Sequence, residues 1–551
     1  MKNELITQRW DALFSERQAT VDSVWNDVET YVLPLRGEFY IEAANEHEVD
    51  WDRGEVFDST AIVACRQLAA AMQANITSFS QKWFDLRFAD DDMNSDSVAM
   101  EWVQMVGDAI YDALVESNFD VEIAEAYLDL ASYGNTILIE EDDDQDIIFT
   151  AMPLRECVFE EDARKQGAYL YRRRWMTAIQ LEDMFGDDIP EKVSQKLDTP
   201  EAGTEKFEVI FAIYPRKDKQ NADVSGLLAP LERPIGFKWI MRAGAELLGE
   251  EGGYYEMPAY ITRWAKTGGS KWGYSPAMEC IADIRTLNLI KEATLEAAGK
   301  AIDPATFSMD GTIIGDLDLQ RGGHTIVTDM DGLRPFESGT KFDVANLEIE
   351  FLTQAIRDAF FQNQLELKES PAMTATEVNV RYELMQRLLG PVVARLKTDL
   401  LDPVIQRTFN ILWRRGTLPE LPEGYDVGDL NIEYNGVLPR AQKAETAGAI
   451  TEFMMEVAQI SEVFPEARDL VDIDAAIRER AILRGVPMKV LKSEEEVEQS
   501  RKAQAEAQAE QQQMEQAMQG GQAMQAIGDG AQALKGVGAE GMPGMPEGAP
   551  Q

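Results

Sequence analysis

The chain has 551 residues, and its 98 acidic side chains outnumber its 52 basic ones, so the formal net charge is −46. This charge excludes a protein that binds nucleic acid tightly, because phosphates would be repelled. Hydrophobic residues make up 45% of the sequence, which excludes wholesale disorder, and no apolar run is long enough for a transmembrane helix.

The N-terminal residues and the cysteines both indicate an intracellular protein. The first residues are charged and lack the apolar core of a signal peptide. The three cysteines, Cys65, Cys157 and Cys280, are scattered and odd in number, which indicates a reducing compartment and no disulfide framework. We therefore expect a soluble, intracellular protein with several globular parts.

The residue patterns that carry catalysis or bind metals are missing. The two histidines, His47 and His324, lie near no Cys or carboxylate pattern with metal-ligand spacing. The segment Thr267–Gly273 lacks the order of a phosphate-binding P-loop, which favours a flexible loop. The acidic runs Asp90–Asp92 and Glu140–Asp144 are typical of solvated turns, the second at a hairpin tip. We therefore predict no enzyme activity, no metal site and no cofactor.

The first half of the chain is predicted to form helices and then strands. Apolar residues recur at helical spacing up to Pro34, and Asp58 or Ser59 is placed to cap a second helix. Two further amphipathic segments cover residues 98–115 and 121–131. Strands are predicted at Gly134–Glu140, Ile147–Met152, Tyr169–Trp175, Phe207–Tyr214, Pro234–Arg242 and Met257–Arg263. This α+β region is long enough to bury a core of its own.

The basic run Arg172–Arg174 falls inside one of these strands. An edge or interface strand whose arginines pair with surrounding acidic residues explains it, and phosphate binding is the second interpretation. We rank pairing first, because tyrosines and Trp175 alternate with the run as neighbours in a strand would.

Two long predicted helices enclose a Gly- and Asp-rich insert. Ser275 is a good N-cap and Pro276 suits the first position of a helix, which we expect to run to about Ala301, roughly 39 Å. The second helix is predicted from about Val344 to Leu367, roughly 36 Å. Helices of matched length around an insert predict an antiparallel stalk. Such a stalk has too small a core of its own, so it predicts an oligomer that packs stalk against stalk.

A short loop and another long helix follow the stalk. The loop Lys368–Met373 contains a proline, and Thr374–Glu377 is a capping box that opens a helix to about residue 416. Gly390 and Pro391 inside this helix predict a kink, because proline removes a backbone hydrogen bond and clashes with the preceding turn.

The composition changes twice in the last third of the chain. Residues 374–416 reverse the sign of the charge, with seven basic side chains against four acidic ones. A loop at Leu418–Pro439 and then short helices to about Leu491 are predicted. From Ser493 the chain is rich in Gln, Ala and Glu, and its last 30 or so residues are rich in Gly, Met and Pro, which is typical of disorder.

Several short motifs occur in a fixed order between residues 5 and 440. They are Trp25–Pro34, Arg36–Phe39, Val56–Ala61, Thr77–Phe84, Trp272–Pro276, Thr374–Val378 with Arg381, Leu389–Pro391 and Leu401–Pro403. In this order, and with the predicted stalk, insert, loop and kinked helix between them, the sequence resembles the head-to-tail connector, or portal, proteins of short-tailed bacteriophages.

The resemblance implies an α+β, mainly helical portal-type fold that assembles into a ring, normally of twelve subunits. The parts of that fold would follow the predicted elements in order. They are an α+β wing (1–275), two stem helices (276–301 and 344–367) that flank a clip (302–343), a tunnel loop (368–373), a kinked wing helix (374–416), a helical crown (417–492) and a largely disordered tail (493–551).

The resemblance also implies the function. A portal ring lies at one vertex of the capsid, at the head–tail junction of the virion, and a terminase drives double-stranded DNA through it. The ring would be assembled in the host cytoplasm, nucleate the head with major capsid and scaffolding proteins, and later dock the tail adaptor and tail tube proteins, with no membrane partner. A mostly acidic channel wall holds DNA weakly, so the net charge is compatible with a DNA conduit.

The resemblance places candidate functional residues in four groups. They are Lys368, Glu369, Ser370, Pro371, Met373 and Thr374 in the tunnel loop, Lys300 and Arg357 facing the channel from the stem, Arg381, Arg387 and Arg395 in ion pairs between subunits, and Gly390 and Pro391 at the helix kink. The alternative for the channel-facing basic residues is an ion pair with Glu366, Glu369 or an acidic residue of the stem.

Two other classes of protein remain open on the sequence. A nuclease or other metal enzyme would use the acidic clusters, but suitably spaced carboxylates and a base are lacking. An intracellular scaffold or adaptor whose stalk forms a coiled coil would be a dimer or an elongated rod, whereas a portal protein would be a large ring.

Overall fold

The computed structural model describes residues 1–34, 56–78, 81–88, 97–143, 146–164, 166–219, 227–302, 306–308, 333–335, 342–362, 389–421, 430–434, 437–464 and 471–484, with shorter pieces up to residue 508. They combine helix and sheet, as predicted. Two compact units are present, Met1–Ala89 with Trp102–Gln442, and Asp90–Glu101 with Lys443–Gln551. Both histidines, Asp90–Asp92 and the end of the tail lie outside the described residues. None of the described helices is long and apolar enough to cross a membrane.

Helices form the described start of the chain. They are α1 (Asn3–Thr20), α2 (Asp22–Tyr31), α3 (Thr60–Ile76), α4 (Ser97–Glu116) and α5 (Phe119–Tyr133). The Asp58 carboxylate accepts a hydrogen bond from the Thr60 amide at 2.8 Å, so Asp58 rather than Ser59 supplies the capping side chain of α3. The buried Trp25 indole donates to the Tyr133 carbonyl at 3.0 Å, which ties α2 to α5.

Three strands form an antiparallel sheet in the order β3-β2-β9. They are β2 (Asn135–Asp143), β3 (Asp146–Ala151) and β9 (Ala259–Arg263). The hairpin predicted at the acidic run is confirmed by the β2–β3 pairing. Its predicted solvation is wrong for Glu140, which is wholly buried, because the first six residues of β2 lie in the core and only the last three are exposed.

A second antiparallel sheet has five strands in the order β4-β5-β6-β7-β8. They are β4 (Cys157–Glu161), β5 (Gly167–Thr177), β6 (Lys206–Pro215), β7 (Ile235–Met241) and β8 (Glu246–Tyr254). The sequence did not predict β4 or β8, because β4 is short and β8 contains three glycines and three glutamates that hide its alternation.

The basic run of β5 lies inside this sheet. β5 is paired with β4 on one side and β6 on the other, so its interpretation as an edge strand is wrong, since its outer neighbour was the unpredicted β4. The predicted pairing with acidic residues is confirmed. Arg172 binds Glu156 at 2.8 Å, and Arg173 lies 3.9 Å from Glu208.

Helices cover both faces of the five-stranded sheet. α1 packs on one face, and α6 (Ala178–Phe185) and α7 (Glu191–Leu197) pack on the other. The first cluster is Ile6, Trp10, Val158, Tyr171, Ile210, Ala212, Tyr214 and Ile240, and the second is Met176, Ala178, Leu181, Val193, Val209, Met241 and Leu248. Because both faces are covered, every residue of β6 from Val209 to Tyr214 is buried.

A small hairpin follows the sheets. The strands β10 (Ala265–Lys266) and β11 (Gly273–Tyr274) pair antiparallel, and residues 267–272 connect them. This confirms a loop at the Gly-containing segment.

The stalk predicted on either side of the insert consists of α8 (Pro276–Glu279), α9 (Ile281–Ile302) and α10 (Phe342–Ala359). The Ser275 hydroxyl accepts a hydrogen bond from the Met278 amide at 3.0 Å, so the predicted N-cap is confirmed. The continuous helix predicted from Pro276 is interrupted at Cys280. The described part of the insert contains β12 (Thr306–Ser308), paired antiparallel with β13 (Leu333–Pro335).

The second stalk helix is interrupted before its predicted end at Leu367. α10 ends at Ala359, because Phe361 adopts a left-handed backbone conformation with φ of 58°. Phe360 is buried at this end, and residues 363–367 lie outside the described residues.

Residues 389–396 are helical and continue through a π-helical turn, Lys397–Leu401, into α11 (Asp402–Arg415). Gly390 and Pro391 lie in the first helical part, and the irregular backbone described here is the π turn that follows. The kink at Gly390 and Pro391 stays a prediction.

The loop predicted at 418–439 is wrong in part. It contains β14 (Leu430–Tyr434), which pairs antiparallel with β1 (Phe84–Phe88) from the start of the chain. The helix α12 (Val437–Val463) has 27 residues, so the prediction of short helices is also wrong there, and α13 (Ile473–Leu483) follows. A partner strand more than 300 residues away leaves no local sign in the sequence.

The three cysteines are all buried and form no disulfide, as predicted. Burial raises the pKa of the Cys157 and Cys280 thiols to about 12, so they are unreactive core groups.

Candidate functional site

The residues expected to carry the function are divided between described and undescribed parts of the chain. Outside the described part lie Lys368, Glu369, Ser370, Pro371, Met373, Thr374, Arg381 and Arg387. Inside it lie Lys300 in the last turn of α9, Arg357 in the last turn of α10, and Gly390, Pro391 and Arg395 in the helical residues 389–396.

The stalk helices α9 and α10, called the stem below, pack against each other. Ile284 and Leu287 are buried early in α9, whereas Leu352 and Ile356 are buried late in α10. Because opposite ends of the two helices are buried, they leave the core antiparallel to one another. This is the arrangement expected of a stalk.

The outer half of the stem exposes large apolar side chains. Leu295 and Ile302, seven residues apart on α9, are 58% and 84% exposed, and Leu347 and Phe351, four residues apart on α10, are each 68% exposed. Residues at these spacings share a face of their helix. An apolar surface of this kind, left open by the chain's own fold, marks an interaction site.

The stem is mildly acidic. α9 and α10 together carry seven acidic and four basic side chains. Lys300 lies 3.4 Å from Glu296, one turn earlier, and both side chains are mostly exposed. Such an exposed pair contributes only about 0–1 kcal/mol, so it does not hold the Lys300 ammonium in place. Arg357 is also exposed. That Lys300 and Arg357 face a channel stays a prediction.

A buried polar network joins α11 to the three-stranded sheet. The wholly buried Glu140 carboxylate accepts hydrogen bonds from the Thr408 hydroxyl, at 3.0 Å, and from the Tyr260 hydroxyl. The Arg407 guanidinium, 4% exposed, lies 3.8 Å from it and donates to Glu256 at 3.1 Å. Burial raises the pKa of Glu140 to about 7, although Arg407 and the two hydroxyls oppose the rise.

The other described arginines of segment 374–416 also contact residues 1–275 of the same chain, a range called the wing below. Arg414 binds both oxygens of Glu256, at 2.7 and 3.0 Å, and Arg415 binds Asp142. Arg395 donates to the Trp264 carbonyl at 3.0 Å. The sequence assigned ion pairs between subunits only to Arg381, Arg387 and Arg395. The partners of Arg407, Arg414 and Arg415 are acidic residues of the same chain. The intersubunit role of Arg395 stays a prediction.

Sequence reasoning missed the Glu140 network, although one sign was available. Glu140 directly follows the apolar run Ile137–Ile139, so it falls on the buried part of a strand instead of at the hairpin tip. A carboxylate in that position requires a cation or hydroxyl partner. The identity of the partner, Arg407, had no local sign.

Residues 267–271 of the loop between β10 and β11 line a cavity of about 370 Å³ together with Arg263, Lys266 and Glu161. Two of its three cations are engaged in ion pairs within the chain, since Arg263 binds Glu161 and Lys271 binds Glu16 at 2.8 Å. This agrees with a loop in place of a phosphate cradle. Among the described residues, no group of three or more His, Cys, Asp or Glu side chains is arranged to hold a metal ion.

Comparison with known proteins identifies the family. The family described as "Bacteriophage head to tail connecting protein" matches residues 3–491. The "Probable portal protein" of Bordetella phage BPP-1 is 27% identical over 515 residues, which cover 92% of this chain and 91% of that protein. The "Portal protein" of Salmonella phage epsilon15 is 26% identical over 508 residues, 90% of each chain. The chain, with its stalk and open apolar surface, is therefore a member of the bacteriophage head to tail connecting protein family.

Proposed function

We propose that this chain is the portal subunit of a bacteriophage, a structural protein without enzyme activity. Copies of it, twelve in the expected assembly, form a ring around a channel through which double-stranded DNA enters and leaves the capsid. The observation that carries the proposal is the family match over residues 3–491, together with relatives named portal proteins that align along nine-tenths of the chain.

In this proposal the parts of a portal follow one another in chain order. The two sheets and their helices form the wing (1–275), α9 and α10 the stem, and the segment between them the clip (302–343). Residues 368–373 form the tunnel loop, followed by the kinked wing helix (374–416) and the crown (417–492).

The open apolar face of the stem supplies the subunit contact of the ring. Full burial of a Leu, Ile or Phe side chain contributes about 1.5–3 kcal/mol. Leu295, Ile302, Leu347 and Phe351 would together contribute several kcal/mol at each interface, and the contact is repeated around the ring. Arg381, Arg387 and Arg395 add ion pairs between subunits.

The charge of the stem suits a conduit for DNA. Duplex DNA carries one charge per about 1.7 Å, so a wall lined with Lys and Arg would bind it and stop it. A mildly acidic stem with a few basic rings, at Lys300, Arg357 and Lys368, centres the duplex without holding it. The exposed, weakly paired Lys300 ammonium is suited to transient phosphate contacts.

The ring lies at the head–tail junction of the virion. It is assembled in the host cytoplasm with major capsid and scaffolding proteins, docks the terminase during packaging and later the tail adaptor and tail tube proteins. None of these partners requires a membrane-spanning helix. Among the described residues, no helix is long and apolar enough to cross a membrane.

The ring is tested by measuring the mass of the purified full-length protein and imaging it in negative stain. We expect a closed ring with a central hole and the mass of about twelve subunits. A dimer or an elongated rod would instead favour the coiled-coil scaffold, an alternative that the comparisons do not favour.

The channel role of Lys300 is tested by charge reversal. We expect Lys300→Glu, and likewise Arg357→Glu and Lys368→Glu, to reduce the packaging rate or the retention of packaged DNA, because a repulsive ring replaces an attractive one. Lys192→Glu, an exposed wing lysine that also pairs with a glutamate, is the matched control and should leave both unchanged. Normal packaging and retention in one of the three variants would mean that the substituted residue does not face the DNA in the channel.

A further inference from the structure

The helix α12 buries small residues and exposes large apolar ones. Ala447 is wholly buried and Ser461 is 5% exposed. Phe453, Ile460 and Phe464, by contrast, are 53%, 52% and 66% exposed. A helix stabilised only by its own chain would place the aromatic side chains inward.

The three exposed side chains form a continuous stripe. At about 100° per residue, positions separated by seven and four residues lie within roughly 20° of one line along a helix. The Phe464 amide donates to the Ile460 carbonyl at 2.8 Å, so Phe464 continues the helical path one residue beyond α12. The stripe is roughly 16 Å long, which is about three helical turns.

The surroundings of the stripe are acidic. Residues 444–467 contain five glutamates and no Lys or Arg. Glu452 and Glu456, four residues apart and both exposed, fall beside the stripe on the side away from Ala447 and Ser461. A second copy of α12 would bring the same acidic residues against these, and like charges at an interface are unfavourable. The charge therefore selects a basic occupant.

We propose that the α12 stripe, defined as Phe453, Ile460 and Phe464 with Glu452 and Glu456 beside them, is a docking surface for a basic amphipathic helix of another protein. The apolar face of that helix covers the aromatic side chains, and its Lys or Arg residues pair with the glutamates. A helix laid on an apolar strip with a charged border is a common mode of peptide recognition. The proposal does not depend on the channel function.

The experiment uses the assembled full-length protein and a fluorescent Leu/Lys peptide of about 18 residues that forms an amphipathic helix. Fluorescence anisotropy should show saturable binding that weakens as salt is raised. The double variant Phe453→Ser/Ile460→Ser should lower the affinity at least tenfold. A second variant, Glu452→Gln/Glu456→Gln, keeps the apolar side chains and should lower the affinity and flatten its salt dependence. A Leu/Glu peptide of the same length should bind at least tenfold more weakly.

Met455→Ser is the matched control, because Met455 is 60% exposed on the same helix but about 160° away from Phe453. Its affinity should stay within twofold of the wild-type value. Absence of binding, equal losses in the control, or equal binding of the acidic peptide would overturn the proposal. A peptide with the sequence of residues 471–486, which contain three arginines and three acidic residues, represents a second copy of this chain. If it binds more tightly than the Leu/Lys peptide, the stripe is a contact between copies and the proposal is wrong.

Discussion

In the five-stranded sheet, the six residues Val209–Tyr214 of β6 are all buried, because helices from the same chain cover both faces. In the outer stem, Leu347 and Phe351 are each 68% exposed although they are as apolar as the residues of β6. The five-stranded sheet completes its core within one chain, whereas the outer stem leaves large apolar side chains exposed. Substitutions in the wing should therefore change the free energy of unfolding, and substitutions in the outer stem should change assembly.

The largest expected effect is in the buried network of the wing. Arg407→Ala leaves the Glu140 carboxylate without its cation and should lower the free energy of unfolding by about 3–5 kcal/mol at pH 8. The loss should be smaller at pH 5, where Glu140 is protonated. Urea unfolding at both pH values measures this, with the more exposed Arg415→Ala, worth about 1 kcal/mol or less, as the control. If both variants lost the same free energy of unfolding, the deeper burial of Arg407 would not make its ion pairs more important for stability than those of Arg415.

The second effect is the pH dependence that Glu140 confers. Its pKa in the folded state, about 7, lies above its ordinary value of 4.5. Between these values the folded state holds a proton that the unfolded state lacks, so the free energy of unfolding falls as pH rises from 4.5 to 7, by up to about 3 kcal/mol. Glu140→Gln should remove this part of the slope. An unchanged slope in the variant would contradict the assignment of the titration to Glu140.

A third, smaller effect compares two glycines with positive φ. Gly134, at φ 71°, would place a Cβ 2.8 Å from the Tyr274 carbonyl carbon, whereas Gly416, at φ 68°, faces open space. Both have the left-handed helical conformation. Gly134→Ala should cost about 2–3 kcal/mol and Gly416→Ala about 1 kcal/mol, since only the first adds a steric clash to the backbone strain. Thermal unfolding of the two variants measures the difference. Equal costs would show that the contact with Tyr274 relaxes freely.

The smallest effect on subunit stability is expected in the outer stem. Leu347→Ser/Phe351→Ser should change the free energy of unfolding of the subunit by less than about 0.5 kcal/mol per residue, and yet the ring should dissociate. Light scattering after size-exclusion chromatography measures the assembly. Met184→Ser, at an exposed apolar residue of the wing, is the control and should leave the ring intact. A stable ring in the stem variant would place the subunit contact elsewhere.

Much of the wing and stem could be predicted because their signals are local. Strand periodicity located β2, β3, β5, β6, β7 and β9. The Ser275 cap depends on residues three positions apart, and the prediction was correct. The sequence alone also showed the excess of acidic residues and the order of the motifs. The order of the motifs led to the family.

The tertiary structure alone decided which residues became partners. The sequence assigned no partner to Arg407, and it meets Glu140 and Glu256 of its own chain. The β5 strand was expected at an edge but gained β4 as a neighbour, and α10 ends at Ala359, where Phe361 adopts a left-handed backbone conformation. The physical reason is the distance along the sequence over which each interaction acts. Hydrophobic period, capping and turn residues act within a few positions, whereas Glu140 and Arg407, like β1 and β14, are partners that lie more than 200 residues apart.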